Sequence, residues 1–547
     1  MNKLAKSLIK RAERLRIEHN RWLPIWKAVA KYVFPNASPV GSVSGFTKGN
    51  QKYQPLNSIG IDCATLLSAF IYSNTVFSGE QWFDLKKKAK AGDVTTAGDV
   101  TARFFQDLTK KTIEIILSSN FDHTYRQFIS GYVSFGTAPF HWEFNDNNEL
   151  ITRQWLITNN IYVSKGANGK IDTVFREFEF TARQAVEAFG YENVSEKIQK
   201  AYSDEAGQEE VFNFIHCTFP RVKRDKEKTT PENKPIAEVY IEKDESKIVK
   251  EGGRDNFPYC VPRFYDYDET YGRSPAINSI PTLKAISIAD WAFLKTVEFQ
   301  AKPMLFAPAT MYDKINIESD TVNAWNSNDG DVKIWSPTGN PSVILEFVNM
   351  KKEEVRKIFY VDRIQYLDEK RMTATEAQMR YDEMIQSFSP VLVALQSEFF
   401  TPFIEGVASE IVRRKMIDVP SALLGENSYI DFEVDYTSRL NTKLKSAFNA
   451  NIITFARLMG EYGQLRNSSP LGAVYLNDDA IIKAMADNCN VLSTALNTDE
   501  DIEQIKSVQA EQQQQAQLME MMKANVKPVD TQATPAPNSI ADQVGEM

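Results

Sequence analysis

The pattern of apolar and polar positions changes character along the chain. Apolar side chains recur at helical spacing in the N-terminal part and predict three helices, over residues 1–33, 57–77 and 97–130. From about 138 the pattern is that of short strands separated by turn residues, and "SKGANGKI" predicts a hairpin between two of them. Thr181 and Gln184 predict a capping box at the start of the next helix, and Gly190 predicts its end.

The second half of the chain is predicted to be mostly helical. A nearly uncharged helix covers about 277–302, and a charged helix covers 350–367 after a mixed segment with prolines. Thr373 and Glu376 predict a second capping box, and its helix should be interrupted at Pro390 because proline removes a backbone donor.

A lone strand follows long after the others. The stretch "YIDFEVDY" (429–436) alternates between apolar and acidic positions, and we expect it to rejoin the main sheet. The middle of the chain would then be an excursion out of one domain and back. Residues 440–523 are predicted to be helical, whereas 524–547 carry too few apolar side chains to fold. The predicted fold class is α+β, predominantly helical.

Composition limits what the protein can bind. The chain has 547 residues, 43% hydrophobic and 25% charged, which predicts about two to four packed units. A formal net charge of −9 argues against a tight, sequence-independent DNA binder but is compatible with DNA that slides past the protein. Because no stretch approaches the roughly 18 uncharged apolar residues of a membrane helix, no membrane contact is expected.

The sequence carries no recognisable catalytic constellation, so no enzyme activity, cofactor or metal is predicted. It contains neither a G-x-x-x-x-G-K-[ST] phosphate loop nor a G-x-G-x-x-G motif. In "GYVSFG", Ser134 is one residue out of register for a nucleophile elbow, and a turn at a strand edge is the expected structure. His216 and Cys217 are adjacent on a predicted strand, where neighbouring side chains point to opposite faces and disfavour a shared metal. The cysteines are expected to be buried free thiols, at Cys63, Cys217, Cys260 and Cys489.

One acidic cluster leaves two interpretations open. In "DYDET", Asp266 and Asp268 would lie on one strand face with Glu269 beside them. Two carboxylates in that arrangement could hold Mg²⁺. The alternative is a solvated loop before the turn at Gly272.

A row of basic residues also has two interpretations. Lys352, Arg356, Arg363 and Lys370 are spaced four, seven and seven residues apart, which places them along one stripe of a continuous helix. Such a stripe is either an exposed face laced with ion pairs or a lining of weak phosphate contacts.

Five stretches, taken in order, carry a family resemblance. They are "RAERLRIEHNRWLPIWKAVAKYVFP", "NSIGIDCATLLSAFIYSNTVFSGEQWFDL", "NGKIDTVFREFEFTARQAVEAFG", "YGRSPAINSIPTLKAI", and "RMTATEAQMRYDEM" followed by "LQSEFFTPFIEGV". Together they resemble the head-to-tail connector (portal) proteins of short-tailed bacteriophages, and they extend over residues 11 to about 415.

The resemblance implies a portal-type fold in a ring of identical subunits, usually twelve. Mapped onto this chain, the parts are an α/β wing (1–275 and about 373–440), two stem helices (276–302 and 350–365), a small α/β clip (303–349), a tunnel loop (366–372), a helical crown (441–523) and a disordered tail (524–547). The segment "QYLDEKR" fits the tunnel loop, with Gln365, Tyr366, Leu367, Asp368 and Glu369.

The resemblance also implies a function and a set of partners. The ring would stand at one capsid vertex of the virion after assembly in the host cytoplasm, and double-stranded DNA would pass through it. The clip would meet the terminase large subunit and then the tail adaptor protein, and the wing would meet the major capsid and scaffolding proteins. The residues expected to line the channel are Lys352, Arg356, Arg363, Lys370 and Arg371.

Two rival functions remain open from the sequence. One is another virion structural protein, such as an internal core or tail component, which would share the long helices without closing into a ring. The other is a nucleotide-dependent packaging motor or nuclease, which would need the phosphate loop or acid cluster that the sequence lacks.

Overall fold

The computed structural model describes most of the chain up to residue 436. The described residues are 3–35, 55–76, 81–88, 100–222, 224–225, 230–302, 304–306, 333–335, 340–365, 374–420 and 432–436, with the single positions 457 and 508. The predicted helical segment 440–523 and the predicted tail 524–547 lie outside the described residues, apart from those two positions.

The N-terminal part is helical, as predicted, with one added strand. Its elements are α1 (Lys3–Tyr32), α2 (Ile59–Thr75), β1 (Phe83–Lys87), α3 (Val100–Ser118) and α4 (Phe121–Phe135). The single helix expected over 97–130 is therefore two helices, with Asn120 directly before α4. Asn120 favours the break because its side-chain amide bonds outside the helix, to the backbone and hydroxyl of Thr152 at 2.8–2.9 Å.

Two antiparallel sheets follow, with strand orders β3–β2–β9 and β4–β5–β6–β7–β8. The elements are β2 (Phe140–Phe144), β3 (Leu150–Gln154), β4 (Ile161–Lys165), β5 (Ile171–Thr181), α5 (Ala182–Phe189), α6 (Glu196–Ser203), β6 (Val211–Pro220), β7 (Ile236–Glu242), β8 (Lys247–Arg254) and β9 (Tyr259–Cys260). The predicted hairpin joins β4 to β5. The predicted capping box is confirmed, since the backbone N–H of Gln184 donates to Thr181 Oγ1 and α5 ends at Gly190.

The second half contains a helical hairpin and a long return helix. Its elements are α7 (Pro275–Ala301), β10 (Met304–Phe306), β11 (Lys333–Trp335), α8 (Pro341–Ile358), α9 (Val361–Gln365), α10 (Ala374–Leu395), α11 (Thr401–Arg413) and β12 (Phe432–Tyr436). The nearly uncharged helix predicted at 277–302 is α7. The charged helix predicted at 350–367 begins earlier, at Pro341, because Asn340 Oδ1 caps it by accepting the Ser342 N–H at 3.0 Å.

The expectation that the lone late strand rejoins the main sheet is wrong. Strand β12 pairs antiparallel with β1, with Phe83 opposite Tyr436 and Lys87 opposite Phe432, in a separate two-stranded sheet. Alternation fixes which face of a strand is buried but not which strand it pairs with. The partner β1 was not predicted because it is short and ends in consecutive lysines.

The expected interruption at Pro390 is also wrong. Helix α10 continues through Pro390, and the irregularity comes later, in a π-helical turn over Gln396–Phe400 that leads into α11. A π turn inserts one extra residue into the helix and redirects the side chains around it. Pro402 then occupies the first turn of α11, where a missing N–H is tolerated.

This return helix corrects the expectation that no stretch resembles a membrane span. The segment Ser387–Arg413 is long and apolar enough by length and composition, although 56% of its most apolar window is buried inside the protein. Its apolar side chains lie in the core, including Leu395, Phe399, Phe403 and Val407. The segment is therefore the central core helix of the body.

The core is built around aromatic rings from the π turn and its neighbours. Phe399 lies 4.4 Å from the ring of Phe128 on α4 and 5.0 Å from Phe140 on β2, measured between ring centroids. Phe403 stacks on Phe121 at 5.2 Å. Each fully buried ring contributes about 1.5–3 kcal/mol, so these contacts fix α4, β2 and the return helix against one another.

A buried arginine joins three separate parts of the chain. Arg263 is 2% exposed, and it holds Glu398 of the π turn twice, through its backbone N–H (2.8 Å) and its Nη2 (2.7 Å). Its guanidinium also bonds Asp266 at 2.8 Å and the carbonyl of Gly169 in the β4–β5 hairpin at 3.0 Å. Because Arg263 precedes α7 and Glu398 follows α10, this ion pair ties together the two ends of the excursion.

A second polar network lies buried between the two sheets. His216 accepts or donates at both nitrogens, to Tyr259 Oη (3.1 Å) and to Glu238 Oε1 (3.2 Å), while Arg254 Nε holds Glu238 Oε2 at 2.7 Å. His141, on β2, is fully buried with no hydrogen-bond partner at either ring nitrogen. Burial lowers the pKa of His141 well below its usual value, and burial also lowers the pKa of His216.

Stability should fall as pH falls from about 6.5 to 5. The unfolded chain takes up protons at its histidines in that range, whereas the lowered pKa values of His141 and His216 make the folded chain take up fewer, so protons favour unfolding. Replacing His141 by Phe should reduce the pH slope of the unfolding free energy by up to about 1.4 kcal/mol per pH unit. Urea unfolding at steps of half a pH unit measures this slope, with His123→Asn, at an exposed histidine, as the control. An unchanged slope in His141→Phe would contradict the conclusion that buried His141 contributes to it.

Breaking the Arg263–Glu398 pair should destabilise the fold strongly. Arg263→Met leaves a largely buried carboxylate unpaired, which is expected to lower the free energy of unfolding by about 3–5 kcal/mol. Arg153→Met breaks the half-exposed pair with Glu143 and should lower it by about 1 kcal/mol or less. Denaturant unfolding compares the free energies of unfolding of the two variants. Equal losses would mean that the Arg263–Glu398 pair does not hold the two ends of the excursion together.

Candidate functional site

The acidic cluster does not form a metal site. The three carboxylates of "DYDET" each face a different base: Asp266 binds Arg263 at 2.8 Å, Asp268 binds Lys165 at 2.7 Å, and Glu269 binds Arg273 at 3.0 Å. Because the bases hold the acids apart, their oxygens do not converge on one point. Across the described residues, no group of three or more His, Cys, Asp or Glu side chains could hold a metal ion.

Ser134 and the described cysteines, which are the other candidate nucleophiles and metal ligands, have structural roles. Ser134 lies in the last turn of α4, not at the expected strand edge, and its carbonyl accepts a hydrogen bond from Ser274 Oγ at 2.9 Å. Three cysteines are buried free thiols, as expected, and burial raises the pKa of Cys63 to about 12. Cys489 lies outside the described residues.

The start of α7 is fixed by close backbone packing. Gly136, which has a φ of 76°, ends α4 against Gly272, and a Cβ on either glycine would stand within about 2.5 Å of the other's carbonyl oxygen. Ser274 then caps α7 by accepting the Ile277 N–H at 3.2 Å. The "YGRSP" turn therefore sets the direction in which α7 leaves the body.

Helices α7 and α8 form an antiparallel hairpin whose base is joined to the body. Thr282, in the first half of α7, donates to Glu354 near the end of α8 at 3.0 Å. Asn57, just before α2, donates to Asp290 of α7 at 2.9 Å. At the far end, β10 and β11 pair antiparallel and connect the two helices.

The far half of this hairpin shows large apolar side chains to solvent. The first half of α7 is buried as far as Ile286, whereas none of its residues from 287 to 301 is buried. Ile288 and Trp291 are 70% and 59% exposed. The apolar side chains exposed here are Ile288, Trp291, Leu294 and Val297 on α7, Phe306 on β10, and Val343, Leu345, Phe347 and Met350 on α8. This many large apolar side chains exposed along one hairpin indicate an interaction surface.

The helix that carries the basic residues is broken at Tyr360. Tyr360 has a φ of 59°, a left-handed conformation that is strained for an aromatic residue, and it separates α8 from α9. Its ring lies 5.0 Å from Phe388 on α10, and its hydroxyl is 2.8 Å from that of Tyr265. These contacts hold the strained turn where the hairpin re-enters the body.

The break changes the predicted basic stripe. Lys352 and Arg356 share a face of α8, where Arg356 pairs with Glu353. Arg363 lies on α9, beyond the break, and its guanidinium donates to Ser387 Oγ. The premise of one continuous helix is therefore wrong for Arg363. Lys370 and Arg371 lie outside the described residues.

The predicted tunnel loop is mostly outside the described residues. Gln365 is the last residue of α9, whereas Tyr366, Leu367, Asp368 and Glu369 fall in the gap before α10.

The sequence analysis did not predict the Arg263–Glu398 ion pair or the turn at Tyr360. Three acids and an arginine in "PRFYDYDET" hint at a local ion pair, but the partner Glu398 is 135 residues away from Arg263.

Comparison with known proteins shows the family to which most of the chain is similar. Residues 5–494 match the family described as "Bacteriophage head to tail connecting protein". The chain is 23% identical to the "Portal protein" of Salmonella phage epsilon15 over 531 residues, covering 94% of this chain and 93% of that protein. It is 24% identical to the "Probable portal protein" of Bordetella phage BPP-1 over 527 residues, covering 94% and 92%. The chain belongs to the bacteriophage head-to-tail connecting proteins.

Proposed function

We propose that this chain is a portal subunit whose copies close into a ring at one capsid vertex and form a conduit for double-stranded DNA. The observation that carries the proposal is the α7–α8 hairpin, which is fixed to the body at one end and apolar along its free half. The 27 residues of α7 span about 40 Å. That length suits the wall of an axial channel.

Ring closure accounts for the exposed apolar face. If α7 of one copy packs against α8 of the next, Trp291 and Phe347 leave water in every copy, and each buried side chain contributes about 1.5–3 kcal/mol. Such a head-to-tail contact uses two different surfaces of the same chain, and it forms a ring when the rotation from one copy to the next closes on itself. The number of copies proposed, twelve, comes from the family resemblance.

The proposed parts follow the helix bounds. The stem is α7 with α8 and α9. The clip, expected at 303–349, is proposed to be the shorter segment between Ala301 and Pro341, because α8 already begins at Pro341. The wing contains α1 to β9 together with the return helix, the tunnel loop is 366–372, the crown is 441–523, and the tail is 524–547. The clip would receive the terminase large subunit and later the tail adaptor protein. The wing would face the major capsid and scaffolding proteins in the virion.

The proposed channel holds DNA weakly. Lys352, Arg356, Arg363, Lys370 and Arg371 are the side chains proposed to face the duplex. A lumen that carries a few cations among acids such as Glu353 centres DNA without gripping it, because tight phosphate contacts would slow its passage. Symmetry repeats each weak contact around the ring.

The proposal is tested against its rivals by two measurements. Negative-stain microscopy of the purified chain should show rings with a central hole, whereas another virion structural protein need not close. Assays of ATP hydrolysis and DNA cleavage should give no activity above a buffer control. Activity at the level of a packaging motor or nuclease would overturn the proposal.

Placing charge on the apolar face should prevent ring formation. In Trp291→Glu with Leu294→Glu, two carboxylates would have to leave water at each contact between copies, so the chain should stay a folded single subunit. Light scattering gives the mass, and circular dichroism checks the fold. Val222→Glu, at a 93% exposed apolar residue on another part of the surface, is the control and should keep the ring. Rings of parental mass in the double variant would refute the interface.

Removing the two tunnel-loop cations should affect DNA and not assembly. Lys370→Ala with Arg371→Ala is expected to form rings at the parental yield but to reduce DNA packaging or retention in assembled particles, because a phosphate contact is lost in every copy. Quantitative measurement of encapsidated DNA tests it, with Lys111→Ala on α3 as control. Failure of the rings themselves would contradict the assignment.

A further inference from the structure

The first helix carries a basic face on the outside of the body. Eight cations of α1 are exposed, and at 100° per residue five of them fall within an arc of about 80°: Lys3, Lys6, Lys10, Arg14 and Arg21. They extend about 27 Å along the helix. The opposite side of α1 is buried in the body, through Ala5, Leu8, Ala12, His19 and Trp26. This strip of five cations is called the α1 basic face below.

The cations of the α1 basic face lack carboxylate partners within the described residues. Elsewhere, surface lysines commonly face an acid, as Lys111 faces Glu114 at 3.0 Å and Lys234 faces Asp255 at 2.9 Å. None of the five makes an ion pair of this kind with a described residue. The two acids of α1, Glu13 and Glu18, leave an excess of positive charge on this face. That local excess stands out in a chain of net charge −9, and it favours an anionic partner.

We infer that the α1 basic face binds the phosphate backbone of duplex DNA outside the proposed channel. This goes beyond the conduit, and it relies on the proposed function only for duplex DNA being near the protein. The strip of about 27 Å is a little shorter than one turn of B-DNA, which is about 34 Å. Several phosphates can therefore be contacted by a single helix.

The composition of the face favours DNA over other anionic surfaces. Protein interfaces are depleted in lysine and have an apolar centre, whereas here the exposed large apolar side chains near the cations are Leu4 and Ile17. A membrane-surface helix inserts its apolar side into lipid, but the apolar side of α1 is already packed in the core. Dense positive charge with little apolar area is typical of a phosphate-binding surface.

Covalently closed circular DNA separates this surface from the channel, because a closed circle cannot thread an assembled ring. The full chain is titrated with a relaxed closed circle and with the same DNA made linear, at about 50 to 200 mM salt. Lys3→Gln with Lys6→Gln and Lys10→Gln should weaken binding to the circle at least about tenfold at 100 mM salt and reduce the salt slope by about 2 to 3. Arg14→Gln with Arg21→Gln should act in the same direction.

Three outcomes would overturn the inference. Whether the proposed ring forms is decided separately, by the microscopy and light scattering described above. In the first, the lysine variant binds the circle within twofold of the parent. In the second, loss of binding accompanies loss of ring mass, which would place the face between copies. In the third, poly-glutamate competes as well as duplex DNA, which would make the partner an acidic protein. Lys86→Gln with Lys111→Gln and Lys234→Gln removes three paired charges and should stay within twofold of the parent.

Discussion

The ion pair between Arg263 and Glu398 fixes where the chain leaves the folded body, before α7, and where it re-enters the body, after α10. About 120 residues separate the start of α7 at Pro275 from the end of α10 at Leu395, and closing such a long loop is entropically unfavourable without a fixed point. Arg263 provides that point because its guanidinium and its own backbone N–H grip one carboxylate. The aromatic rings of Phe399 and Phe403, in and just after the π turn, surround the same position. The extended hairpin therefore rests on a rigid base.

The fixed base of the α7–α8 hairpin and the exposed apolar side chains of its far half depend on each other. A hairpin that moved freely would bury its own apolar face or aggregate, whereas one fixed by Ser274, Thr282 and Asn57 presents Trp291 and Phe347 in a constant direction. The low charge of α7 thus has two physical causes along one helix. Its first half is buried in its own protomer, and its second half carries the apolar side chains that are proposed to contact another copy.

What could be predicted from the sequence is local, and what could not be predicted depends on distant residues. The capping box at Thr181, the β4–β5 hairpin and the span of α7 follow from neighbouring residues. The pairing of β12 with β1, the persistence of α10 through Pro390 and the strained turn at Tyr360 depend on contacts far away in sequence. The premise that one continuous helix carries the basic residues was wrong for the same reason. Spacing places Lys352 and Arg356 on one face of a helix, but only the fold shows the break before Arg363.

The distribution of charge suggests how one protein can handle DNA in two ways. In the proposed channel, cations such as Arg356 stand beside acids, so each phosphate contact is weak and the duplex can move. On α1, the five cations of the basic face make no ion pair with a described acid, and the same electrostatics would hold DNA in place. Because ion pairs with carboxylates compete with phosphates, the pairing state of each cation sets how tightly it binds. Under the two proposals, a chain of net negative charge would let DNA move in the proposed channel and hold it on the α1 basic face.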